Sequence, residues 1–134
     1  MRLLVQISLV ALGSAAGGLA RWVVATGAAR VLGTTFPWGT FLINTSGCLF
    51  LGWFTTALSD RLLPSEGIWL RADDLRLMVA VGFTGAYTTF STFEYESDKL
   101  FRDGDGLLGT VYIFASVFLG LLALRCGILL ARWK

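Results

Sequence analysis

Four long apolar runs, separated by short polar stretches, organise this chain. They occupy residues 3–24, 36–58, 75–93 and 107–131. Each is close to the ~20 residues that an α-helix rising ~1.5 Å per residue needs to cross ~30 Å of hydrocarbon. A soluble domain seldom repeats a core helix of that length four times. The pattern therefore predicts an all-α membrane protein, with four transmembrane helices forming one domain over residues 1–134. The connections are ATGAARVLGTT, SDRLLPSEGIWLRADD and ESDKLFRDGDG. Pro64 and Gly67 mark the second as a loop, and Asp73 or Asp74 can cap the helix that follows. Trp22, Trp38, Trp69 and Trp133 lie near run ends, where interfacial aromatic belts fall.

Composition strengthens this reading. Hydrophobic residues make up 55% of the chain and charged residues 15%, with a mean hydropathy of +0.70; an average soluble domain carries about 25% charged residues. The net charge of +2 resides in loops and forms no basic face, so no nucleic-acid partner is expected. There is no His, and Cys48 and Cys126 both fall in apolar runs, where a free Cys is usually a small buried apolar group. The opening MRLLVQISLVALGSAAGGLA has the outline of a secretory signal, but its removal would leave three spans and discard a Gly-rich packing segment. It is read as the first span, in which Gly13 and Gly17 form a small-xxx-small pair for close helix approach.

Orientation is left open. Four spans put Arg2, Arg61, Arg71, Arg76, Arg132 and Lys134 on one side and Arg21, Arg30, Lys99 and Arg102 on the other. So slight an asymmetry is compatible with insertion both ways, which would let two copies pair antiparallel.

The spans carry neutral polar groups in place of carboxylates. The second contains Thr40, Asn44, Thr45 and Ser46; the fourth has Tyr112 and Ser116 four residues apart on one face, with Gly120 next in line. Asn44 alone is explained by an interhelical hydrogen bond. A line of amide and hydroxyl donors without fixed charge can also replace the water around a small anion. Arg125 lies ~9–12 Å inside the end of the fourth span at ~1.5 Å per residue, without an evident partner. In GAYTTFSTFEYES, consecutive threonines after Gly82 and Gly85 predict a break in the third helix. Such a break frees carbonyls that can hold a dehydrated cation. It also places Phe90 and Phe93 on one face, either to pack or to turn their electropositive ring edges toward an anion.

WGTFLINTSGCLFLG (38–52), GFTGAYTTFSTFEYES (82–97) and GGLARW (17–22) together strongly resemble the Fluc (CrcB) family of small bacterial fluoride channels, across all four spans. The resemblance implies an antiparallel, dual-topology homodimer in the lipid bilayer of the inner membrane, with two fluoride pores beside the interface. It implies that Asn44, Phe90, Phe93, Tyr112 and Ser116 line the pore and that Arg21 and Glu96 belong to its vestibules. The carbonyls of Gly85 and Thr88 match positions that hold a structural sodium ion at the dimer centre. Some relatives carry a serine where this chain has Gly120. Two other readings fit the size: a dual-topology multidrug exporter, which depends on a first-span carboxylate absent here, and a non-conducting membrane assembly subunit. No nucleophile–base pair or cofactor loop suggests an enzyme.

Overall fold

The computed structural model describes residues 1–61 and 72–133, and every described element is helical. Helix α1 spans Arg2–Leu32, α2 Trp38–Arg61, α3 Ala72–Leu75, α4 Gly85–Tyr87, α5 Phe90–Arg102 and α6 Gly106–Arg132. A π-helical stretch, Arg76–Thr84, joins α3 to α4. The loop expected around Pro64 and Gly67, with Trp69 and Arg71, lies outside the described residues, as does Lys134.

Among the described residues, α1, α2 and α6 are each long and apolar enough to cross a membrane. Large apolar side chains face outward along them, including Leu4, Leu12 and Leu19 on α1 and Phe114, Phe118 and Leu121 on α6. A soluble surface would not carry such continuous apolar faces, whereas a bilayer solvates them. Helix α6 matches its apolar run to within a residue. Helix α1 runs eight residues beyond the expected 3–24, because ATGAARVL holds no proline and an isolated glycine, Gly27, is tolerated inside a helix. That glycine adopts φ 80°, a conformation that needs no Cβ, and it ends the helix just after Arg30 complements the C-terminal dipole. Trp22 therefore lies well inside α1. Asp73 and Asp74 lie in the first turn of α3, favourable to its dipole.

The third apolar run is divided. Its π-helical part returns the Thr84 hydroxyl to the Val79 carbonyl five residues back, at 3.0 Å. The wider turn presents carbonyls sideways, and Ser14 of α1 donates its hydroxyl to one of them, Gly82, at 3.4 Å. Close approach of α1 requires its glycines: a Cβ on Gly13 would overlap the Met78 carbonyl, and one on Gly17 the Phe83 carbonyl. Helix α2 packs chiefly on α6. Cys48 meets Gly120 and Gly52 meets Leu124, so the contacts climb together and the two helices run parallel. Glycines at 52 and 127 bring the backbones together, because a Cβ at either would overlap a carbonyl of the facing helix.

Candidate functional site

Between α4 and α5 the backbone is extended at Thr88 (φ −80°, ψ 160°) and Thr89 (φ −150°, ψ 114°). Thr88 still donates its N–H to the Thr84 carbonyl at 3.0 Å, and its hydroxyl follows at 2.9 Å. At Thr89 the helical pattern stops. Its N–H donates to Asn44 Oδ1 at 2.8 Å, while Asn44 Nδ2 donates to the Thr89 carbonyl at 3.1 Å. One side-chain amide thus satisfies both polar groups of one residue, as a neighbouring β-strand would. The apolar setting demands this, since an unpaired peptide group away from water is costly. The other end restarts as a capped helix: the Thr89 hydroxyl accepts the Thr92 N–H at 3.3 Å and donates to the Thr92 hydroxyl at 2.9 Å.

Helix α2 is the bed for this segment. Gly47 lies three residues from Asn44 on the same face, and a Cβ there would overlap the Thr88 methyl. Ser46 Oγ lies 2.8 Å from the Tyr87 hydroxyl. Sequence reading singled out Asn44 but not its partner Thr89. The Thr89–Thr92 spacing is the one local signal, a hydroxyl three residues before a second at a helix start.

The two phenylalanines touch, with ring centroids 5.9 Å apart, yet their settings differ. Phe93 is 7% exposed and belongs to the core, whereas Phe90 is 73% exposed on the outer surface of the chain. The single shared face expected of them is thus divided between interior and exterior. Phe93 packs at 5.3 Å against Tyr112, which is wholly buried and which Phe36 meets edge-on, also at 5.3 Å. Tyr112 donates its hydroxyl to Glu96 Oε2 at 2.9 Å. Glu96 lines a cleft of about 480 Å³ with Thr40, Thr92 and Lys99, beside the α1–α2 connection. Ser116, one turn further along α6, holds its Oγ buried without a hydrogen-bond partner.

Arg21 does not join that cleft. Its guanidinium reaches the Thr88 carbonyl at 3.5 Å, a long contact that tethers α1 to the extended segment. Gly85 is exposed, and its carbonyl has lost the Thr89 N–H that a continuous helix would supply. Arg125 is exposed on α6. The fold therefore gathers Arg21, Asn44, Gly85, Thr88, Phe90 and Phe93 around one interruption, and places Tyr112, Glu96 and Ser116 along the adjoining face of α6 and α5.

Chemically, this region offers amide and hydroxyl donors, freed carbonyls and aromatic edges, with Glu96 and Arg21 at its margins. The chain is 41% identical over 126 residues to a protein of Synechococcus sp. named "Fluoride-specific ion channel FluC", covering 93% of this chain and 92% of that one. It is 42% identical over 128 residues to the protein so named from Chloroflexus aurantiacus, covering 96% of each. The one from Rhizobium etli is 38% identical over 129 residues, covering 96% and 98%. With three apolar helices of spanning length among the described residues, the chain is a multi-pass membrane protein. The family model described as CrcB-like protein, Camphor Resistance (CrcB), matches residues 8–128, and by that match and those relatives the chain belongs to the CrcB-like family.

Proposed function

We propose that this protein is a fluoride channel of the bacterial inner membrane that lets fluoride leave the cytoplasm passively and so lowers its internal concentration. The observation that carries the proposal is near-full-length similarity to proteins named as fluoride-specific ion channels. An uncharged donor set suits such a role, because a channel must replace hydration without holding the ion too firmly.

In this reading the chain is one four-span domain over residues 1–134. The π-helical stretch, α3, α4 and the start of α5 together make the third span, broken at Thr88–Thr89. Two copies assemble antiparallel. The exposed ring of Phe90 and the exposed Gly85 leave this face open to a second copy. Fluoride passes Asn44, Phe90, Phe93, Tyr112 and Ser116. Asn44 Nδ2 carries a second proton beyond the one used on Thr89, and that proton can be donated to the ion. Phe90 and Phe93 present electropositive ring edges. Glu96 fixes the Tyr112 hydroxyl at the cleft that forms the vestibule, and Arg21 holds the Thr88 carbonyl from the other side.

The freed Gly85 carbonyl and that of Thr88, on which Arg21 makes only a long 3.5 Å contact that leaves a lone pair, are hard oxygen donors of the kind sodium prefers. Two carbonyls do not complete a coordination sphere, so a sodium ion held here needs the same pair from a second copy. Bound there, it would supply a positive charge that ties the two broken helices together.

The test is purified protein in liposomes with a fluoride electrode. Passive fluoride efflux, lost when sodium is replaced by an organic cation, is the expected result. Proton-driven movement of organic cations would favour an exporter, and absence of any flux would favour an assembly subunit.

A further inference from the structure

Hydroxyls inside membrane helices normally return to their own backbone. Ser8, Ser46, Thr55, Ser97 and Thr110 do so here, each donating to the carbonyl four residues back at 2.6–2.9 Å. Two do not. Thr45 Oγ1 and Ser116 Oγ are buried and have no hydrogen-bond partner. Leaving a buried hydroxyl unpaired is unfavourable, and to find two such groups is an observation that needs a cause.

Helical spacing puts both on one seam. On α2, the groups against α6 are Cys48, Leu49 and Gly52; Thr45 precedes these by three, four and seven residues and so lies on the same helical face. On α6, the groups against α2 are Gly120, Leu124 and Gly127; Ser116 is one turn before Gly120 on that face. Because the helices run parallel and Cys48 meets Gly120, one turn earlier on each brings Thr45 and Ser116 to a common level. Asn44, next to Thr45, turns instead to Thr89.

We propose that Thr45 and Ser116 form a donor pair that holds a dehydrated fluoride ion in the α2–α6 seam, with Thr45 an ion-contacting residue of the conduction path. The proposal rests on the fluoride-channel reading. Two hydroxyls whose protons are not committed to the backbone can both point at one small acceptor. Cys48 extends the track: its Sγ would lie 3.6 Å from a Cβ at position 120, an ordinary contact distance, so the thiol stands beside Gly120.

The experiment compares Thr45→Val, which keeps the shape and removes the hydroxyl, with Thr45→Ser, which keeps the hydroxyl. Thr55→Val is the control, since the Thr55 hydroxyl is spent on the Leu51 carbonyl. Fluoride efflux from liposomes is read beside thermal unfolding of the purified protein. Thr45→Val should slow efflux roughly ten- to hundredfold, the scale of one hydrogen bond to a charged group, at an unfolding temperature unchanged or raised, since an unpaired buried hydroxyl is removed. Thr45→Ser should restore it, and Thr55→Val should behave as the parent. Parental efflux in Thr45→Val, or a loss matched by lowered unfolding temperature, overturns the donor pair while leaving the channel intact. A silent parent protein overturns the channel reading itself, and the donor pair with it.

Discussion

Replacing Asn44 by Ala removes one side chain but strands two backbone groups. The Thr89 N–H and carbonyl, bonded to Asn44 at 2.8 and 3.1 Å, would both lose their partner in a region with little water. At about 1–3 kcal/mol for each buried group left unpaired, the extended geometry loses about 2–6 kcal/mol. Even the lower figure shifts the population of that geometry about thirtyfold. The chain has a ready alternative: Thr89 can turn its N–H back to the Gly85 carbonyl and close the helix, rotating Phe90 and Phe93 away from their present settings. Asn44→Ala should therefore abolish most fluoride efflux from liposomes and lower the unfolding temperature. Asn44→Asp should do the same, because a carboxylate can accept the Thr89 N–H but repels its carbonyl. Parental efflux and unfolding temperature in Asn44→Ala would refute the claim that this amide maintains the interruption.

Gly17→Ala should disrupt the packing of α1 on the π-helical stretch, since its Cβ would overlap the Phe83 carbonyl; a cost of about 1–3 kcal/mol or more is expected in thermal unfolding. Gly27→Ala, with open space around it, should be neutral or stabilising by up to ~1 kcal/mol, and equal losses from both variants would count against backbone contact as the cause. Tyr112→Phe keeps the ring packing against Phe93 and Phe36 but leaves Glu96 without the hydroxyl donor. It should slow efflux with little change in the unfolding temperature, and parental efflux would show that the Tyr112–Glu96 contact is dispensable.

Some features were legible because their physics is local. Apolar runs of spanning length answer to the bilayer alone, so the elements at α1, α2 and α6 could be placed before any contact was known. Their ends were less so: α1 continues to Leu32 because nothing in the intervening residues stops a helix until Gly33. The candidate residues were named mostly through a family resemblance, and their settings differ from what periodicity suggested. Phe90 and Phe93 are three residues apart, yet one is exterior and the other core.

What the sequence determined by itself is the solvent of this protein and the chemistry of its interior: long apolar helices, uncharged donors, and threonines poorly suited to an unbroken helix. Only the tertiary structure decided which donor satisfies which backbone group. Thr89 finds its partner 45 residues away in Asn44, Phe93 finds Tyr112 on α6, and the Thr45 and Ser116 hydroxyls are left buried without a partner. The reason is that a hydrogen bond is directional and short, so its partner is fixed by how helices pack in space, whereas burial in lipid depends only on how much apolar surface a segment carries.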